Sequence, residues 1–482
     1  MALCTNSLKK FSNPEWFDDK ILIIDEFWAV ALHIACSATH RKDRIASLAL
    51  FKEAFKRCES VIILDGMLTD WLVRWAGDQD PNKRILKLEN TLQRRKAKVE
   101  ILLGTPTKSG GFDSNNLSPY VAPMLGSNTP FIVFSDSQKL LEQIEILLID
   151  AGKVGIRIDS KTVKKDSEER LCLDDCNEWI KLHRPDYILC SPTAESGVDI
   201  SVWGYFKNSY GLFRGIIATD QQMQMMGRYR CPDCFWHISV PKQSFLRGSD
   251  RDYNLDNINA AAARLMELAE MDISHLRLNK DWLGDQFLGF IEEAKLDVNN
   301  TFALRARAKD SFEKENLREC LHFALESSGH EVTETALFAV GKTEAELKIA
   351  GETVKKRAAE EIFNAEDIDE KQAEDIAAKW ASTWEDRVKL IKASYKKQLP
   401  GIEESELWSA DLIQFLKYDE PKLIGAAGLL HQFKNPESAT RKQKNLWAKI
   451  ATDRAIFLPD LHSPHLKIKA LEFLNFEQFL DP

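Results

Sequence analysis

The sequence has no apolar run long enough to cross a bilayer as a helix, so no membrane span of that kind is expected. Its first residues, Met1-Ala2-Leu3-Cys4-Thr5-Asn6, lack the basic and apolar regions of a secretory signal, and a cytoplasmic protein is the expectation. The nine cysteines are irregularly spaced, which speaks against a disulfide framework and for reduced thiols. Positive charge is not in excess: 65 Lys and Arg stand against 74 Asp and Glu, for a net charge of −9. That excludes a broadly basic coat but leaves room for a local basic groove that binds nucleic acid. A complete phosphate loop, Gly-x-x-x-x-Gly-Lys-Ser/Thr, is also missing. The one Gly-Lys-Thr, Gly341-Lys342-Thr343, has Ala336 where the first glycine belongs.

Hydrophobic residues make up 44% of the chain and charged residues 29%, which supplies ample core for a globular protein of about two to four domains. From residue 20 to 245 one rhythm repeats: a short β-branched run, a polar turn, a helical stretch. The expected strands are Ile21–Ile24, Val61–Leu64, Phe131–Phe134, Ile156–Ile158, Tyr187–Cys190 and Trp236–Val240. Most are continuous apolar runs, as in a parallel sheet buried on both faces. The expected helices are Asp43–Lys56, Gln138–Ala151, Glu169–His183 and Gln221–Arg230. This alternation predicts α/β layers. Gly, Ser, Asn and Pro crowd Leu103–Pro130, which reads as a surface loop, and residues 76–98 read as a linker. Beyond about residue 250 the pattern turns helical and yields no strand.

Three segments carry chemistry. Ile21-Leu22-Ile23-Ile24-Asp25-Glu26 is an apolar strand ending in two carboxylates, the Walker B arrangement of a nucleotide hydrolase. Asp25 at such a strand tip can hold Mg²⁺ and Glu26 can polarise the attacking water. Ser191-Pro192-Thr193-Ala194-Glu195-Ser196-Gly197-Val198-Asp199 follows a strand and resembles motif V of superfamily 2 helicases. There Ser191 and Thr193 suit a nucleic-acid phosphate, Gly197 allows close backbone approach, and Asp199 would couple that contact to the nucleotide. Gln224-Met225-Met226-Gly227-Arg228-Tyr229-Arg230 resembles motif VI, whose Gln224 faces the nucleotide and whose Arg228 and Arg230 stabilise charge during phosphoryl transfer. Phe131 to Gln138 looks like motif IV, with Ser135 a nucleic-acid contact. Asp65-Gly66 after the second strand occupies the place of motif III; the rival tripeptide Ser37-Ala38-Thr39 has no clear strand before it.

Together these residues resemble the helicase part of cyanobacterial-type plasmid replication proteins, similar in motif style to herpesvirus origin-binding helicases. The resemblance rests on Leu3 to Leu8, Ile24-Asp25-Glu26, Arg157-Ile158-Asp159-Ser160, Ser191 to Val198 with Gly204-Tyr205-Phe206, and Gln224 to Arg230. It covers roughly residues 1–245. It implies tandem RecA-like domains of the P-loop NTPase class, the first incomplete, with a helical C-terminal region. The implied cofactors are ATP and Mg²⁺, and the implied partner is DNA, single-stranded or at an origin. Only 24 residues precede Asp25, too few for the opening strand and phosphate loop, so a fragment of a longer motor is expected, or one whose front a separate chain supplies. The primase-like domain that such proteins often carry is not among these residues. The expected layout is a partial first domain (1–75), a linker (76–98), a second domain (99–248) and a helical region (249–482). A non-hydrolysing DNA-binding or assembly subunit is the alternative.

Other candidates weigh less. Cys231-x-x-Cys234 with Cys172 and Cys176 invites a zinc site, but one pair falls on an expected helix with no turn between, and buried free thiols fit better. Arg441-Lys442-Gln443-Lys444 with Trp447 reads as a surface helix over a buried Trp, or as a small DNA patch.

Overall fold

The computed structural model describes residues 5, 8, 13–37, 40, 43–66, 68–89, 96–192, 198–231, 234–244, 257–277, 285–377, 383–460 and 464–479. The chain divides into two compact units: Met1–Asn90 with Ser249–Phe312 and Gly425–Pro482, and Thr91–Gly248 with Glu313–Ile424. It is a mixed α/β chain with a parallel-rich sheet and a largely helical C-terminal part.

In the first unit, β1 (Ile21–Ile24) and β2 (Ser60–Ile63) pair in parallel, with Ile21 opposite Ser60 and Ile24 opposite Ile63. Period-two alternation sends Leu22, Ile24, Val61 and Ile63 toward the helices Phe27–Cys36, Arg44–Arg57 and Asp70–Gln79. The other face carries Ile21 (59% exposed), Ile23 (63%), Ile62 (44%) and Leu64 (49%). The core is aromatic. Trp75 stacks on Phe302 at 4.2 Å and on Phe51 at 5.7 Å. Arg44 is buried, and its guanidinium forks onto Asp460 (2.8 and 3.2 Å) while donating to the carbonyls of Ile34 and Ser37. A buried charge is tolerated here because each nitrogen of the guanidinium donates to an acceptor.

The second unit holds β3 (Lys98–Pro106), β4 (Phe112–Asp113), β5 (Phe131–Phe134), β6 (Gly155–Ile158), β7 (Tyr187–Cys190), β8 (Asn208–Leu212), β9 (Phe235–Ser239) and β10 (Glu331–Ala336). Their order is β10-β3-β9-β8-β5-β7-β6, all parallel, with β4 antiparallel to β3. Alternate residues of β5 enter two cores: Ile132 and Phe134 on one face, Phe131 and Val133 on the other. Helices 168–174, 176–183, 219–226 and 317–327 cover the first face, and 118–126, 138–150 and 341–364 the second. Gly155 is required at the start of β6, since a Cβ there would collide with the Tyr187 carbonyl.

Several expectations are corrected. The helical region expected over 249–482 is divided between both units, because each uses it to finish its core: Phe302 stacks on Trp75 in one, and Leu317, Leu321 and Leu325 are buried in the other. That region also contains a strand, β10, an edge strand whose Glu331, Thr333 and Glu334 hide the pattern. The helix Asp70–Gln79 runs into the expected linker, with Trp75 and Gln79 buried. The expected loop 103–130 holds the end of β3 and the helix Ser118–Gly126. The single helix expected over Glu169–His183 is two, Glu168–Asp174 and Cys176–His183, broken at Asp175, whose carboxylate caps the second.

Candidate nucleotide and nucleic-acid site

The expected site residues fall in both units. In the first unit, β1 ends at Ile24 and is followed by Asp25, which is exposed and accepts from the Glu26 amide at 3.0 Å. Glu26 turns the chain with φ 50° and starts the helix Phe27–Cys36. Asp65, just past β2, accepts from the Trp28 amide at 2.6 Å, and the Phe27 amide donates to the Leu64 carbonyl at 3.2 Å. The carboxylate thus satisfies one of the helix's orphan N–H groups and is favoured by the helix dipole. The fold thereby brings Asp25, Glu26 and Asp65 to one end of the two-stranded sheet. Of the rival tripeptide, Ala38 and Thr39 lie outside the described residues; Ser37 ends the helix Phe27–Cys36.

In the second unit, Ser191 is buried directly after β7, its amide donating to the Ile158 carbonyl at 3.0 Å. Thr193 and Gly197 lie outside the described residues. The chain is described again at Val198, and residues 199–201 run beside 228–230. Ile200 and Tyr229 form a parallel bridge: the Ile200 amide donates to the Arg228 carbonyl (2.9 Å) and the Arg230 amide to the Ile200 carbonyl (3.0 Å). Asp199 Oδ1 pairs with Arg230 Nε at 3.1 Å. The Tyr229 hydroxyl donates to the Phe206 carbonyl at 2.6 Å, and burial pushes its phenol upward.

This corrects the expected placement of the arginines. The helix of the segment that resembles motif VI is Thr219–Met226, carrying half-buried Gln224; Arg228 and Arg230 lie beyond its end at Gly227. Tertiary pairing with Ile200 wins over helix continuation, because it satisfies backbone groups that a frayed helix end leaves open.

Ser135 is corrected as well. It is fully buried at the end of β5; its hydroxyl donates to the Leu212 carbonyl (2.6 Å) and accepts from the Ser137 amide (3.1 Å). It braces the strand end and is not presented to a nucleic acid. Its neighbour Asp136, not singled out from the sequence, accepts from the amides of Arg214 and Ile216, both at 2.7 Å. Burial raises the Asp136 carboxyl against those bonds and pulls Arg214 down to about 10, where it stays charged at neutral pH. The Arg157–Ser160 segment is an internal clamp: Arg157 Nε donates to Glu145 at 2.7 Å and also contacts Asp159, whose Oδ1 accepts from the amides of Lys161 (2.7 Å) and Thr162 (3.1 Å).

Cys172 and Cys176 are buried with their sulfurs 3.5 Å apart, and Cys231 and Cys234 are buried beside the same sheet. Burial pushes the Cys234 thiol up to about 11. Among the described residues no three His, Cys, Asp or Glu side chains are placed to hold a metal ion. Lys342 of the isolated Gly-Lys-Thr points outward to Glu346 at 3.7 Å. Trp447 is buried, and Lys442 and Gln443 beside it have side chains outside the described set. No helix among the described residues is long and apolar enough to cross a membrane.

As for the implied cofactors, Asp25 offers an exposed carboxylate of the kind Mg²⁺ takes, with half-buried Glu26 next to it, at the strand end where ligands bind in parallel sheets.

No protein-family model matches the chain. It is similar, at 25% identity over 268 residues, to an uncharacterized protein of Picosynechococcus sp. (strain ATCC 27264 / PCC 7002 / PR-6); the match takes in 51% of this chain but only 26% of that relative. Solved structures that resemble it include the following two. One is the Mycobacterium smegmatis helicase Lhr bound to ssDNA and AMP-PNP, with TM-score 0.34 and 17% identity over 67% of this chain and 40% of that one. The other is Saccharomyces cerevisiae Dbp5 bound to Gle1 and IP6, with TM-score 0.31 and 12% identity over 70% of this chain and 62% of that one.

Proposed function

We propose that the chain is the Walker B-to-motif VI part of an ATP-dependent DNA helicase of the superfamily 2 kind, with RecA-like units, acting in the cytoplasm in plasmid or DNA replication initiation. The observation that carries this reading is the stitching of 199–201 to 228–230. Two segments 29 residues apart at Ile200 and Tyr229, recognised separately as motifs V and VI, lie edge to edge with Asp199 on Arg230. In this reading Asp25 would hold Mg²⁺, which when bound would neutralise phosphate charge. Glu26 orients and deprotonates the attacking water. Arg228 and Arg230, with Gln224, face the developing phosphate charge. Ser191 and Thr193 grip the DNA backbone, Gly197 lets it approach, and Asp65 and Asp199 couple the two tasks.

The sequence contains no complete phosphate loop, so hydrolysis by this chain alone is expected to be weak or absent, and a polypeptide supplying that loop is the implied partner. The same feature favours the second reading, a non-hydrolysing DNA-binding subunit derived from a motor.

Binding of a fluorescein-labelled oligothymidylate and ATP turnover test both readings. The expected result is DNA binding at low salt with little turnover. Turnover at an ordinary helicase rate that Glu26→Gln abolishes would overturn the fragment reading. No DNA binding at low salt would overturn the helicase reading altogether. DNA binding without turnover, unchanged by Arg228→Ala, would select the second.

A further inference from the structure

Asn177 sits in the first turn of the helix Cys176–His183, immediately after the break at Asp175. Its side-chain amide faces the segment just described. Nδ2 donates to the Asp199 carbonyl at 2.9 Å, and Oδ1 accepts from the Ser201 amide at 2.7 Å. The two partners fix which end of the amide is which, since a carbonyl only accepts and an N–H only donates. Residues 199–201 are therefore held on both edges: by the backbone of 228–230 on one, and by a single side-chain amide on the other. Asn177 does for that edge what one peptide group of a neighbouring strand would do. Neither of its bonds touches the Asp199 carboxylate, which is left to Arg230.

An ion pair as open as this one, with side chains 62% and 49% exposed, fixes its own geometry poorly. Its direction has to come from the backbone beneath it. We infer that Asn177 is a positioning residue of this site: it holds the backbone of 199–201 so that the Asp199 carboxylate meets Arg230 and sets where that guanidinium points. The inference deepens the helicase reading, and its consequence for DNA rests on that reading. Only a side chain with donor and acceptor on one short planar group suits both bonds. Leucine supplies neither, and aspartate keeps only the acceptor for Ser201.

The test uses the full chain labelled with ¹⁵N-arginine, together with oligothymidylate binding. In Asn177→Leu the Arg230 Nε–Hε resonance is expected to move to its position in Asp199→Asn, with Asn177→Asp between them. Oligothymidylate affinity is expected to fall about tenfold in Asn177→Leu, and no further when Arg230→Ala is added. Asn177→Asp, which keeps one bond, answers the question if the leucine variant fails to fold. An Arg230 resonance unmoved by either substitution overturns the inference, and so do losses in affinity that add with Arg230→Ala. If the unaltered chain binds no oligothymidylate, the DNA-binding reading fails while the arginine resonance still decides the role of Asn177.

Discussion

In the larger unit β5 and β7 are buried along their whole length, with one core on each side of the sheet. In the smaller unit β1 and β2 pair in the same parallel sense but, among the described residues, pack on one side; Ile21, Ile23, Ile62 and Leu64 face outward. The strands are alike in composition, so intrinsic preference does not explain the difference. Layers do. The two helices that connect β1 to β2 and the helix Asp70–Gln79 after them all pack with Leu22, Ile24, Val61 and Ile63 on one face. The larger unit has helices on both faces. The same sequence signal, a short β-branched run, therefore marks a full core in one place and half a core in the other. Asp25 stands at the end of the half-covered sheet.

The comparison can be broken at its strong end first. Phe134→Ala removes a fully buried ring that packs near Trp236 at 5.8 Å, and should cost about 3–5 kcal/mol in the larger unit, read from native-state hydrogen exchange of β5. A loss below about 1 kcal/mol would mean that this core is not closed as described.

A smaller effect follows from His330, which leads into β10. Its Nδ1 accepts from the Ala97 amide at 3.3 Å, which requires an unprotonated nitrogen, and burial lowers its pKa. Between the unfolded value of about 6.5 and the lower native value, the unfolded chain binds more protons. Stability of the larger unit should accordingly be complete above that window and fall as pH drops through it. His330→Gln should flatten the slope in a denaturation series across pH; an unchanged slope would assign it to other groups.

The smallest effect sharpens the other end. Ile23→Thr keeps a β-branched side chain on the open face of β1 and should change stability by about 0.5 kcal/mol or less. A cost of several kcal/mol would show that this face is covered in solution.

Much of the larger unit was legible in sequence. Phe131–Phe134 and Tyr187–Cys190 were located to the residue, since strands buried on both faces are uninterrupted apolar runs. β8, Asn208-Ser209-Tyr210-Gly211-Leu212, was not, because Asn208, Ser209 and Gly211 break the apolar run and only pairing with β5 and β9 makes the segment a strand. Among the candidate site residues, Asp25, Glu26 and Asp65 were legible as strand-end carboxylates. Asn177 and Asp136 were not: an Asn in the first turn of a helix and an Asp after a strand are commonplace, and nothing local says what their side chains will meet.

The sequence by itself determined the α/β rhythm, the strand tips at Asp25 and Ser191, and the order of the motif-like segments, because all of these depend on residue type and short-range periodicity. Tertiary structure alone decided which helices finish which core, that Ser135 is turned inward, that the second helix of the 168–183 stretch begins anew at Cys176, and that Asp199 meets Arg230. These depend on pairings between residues far apart in the chain, where a buried backbone group takes whichever partner the fold brings within reach.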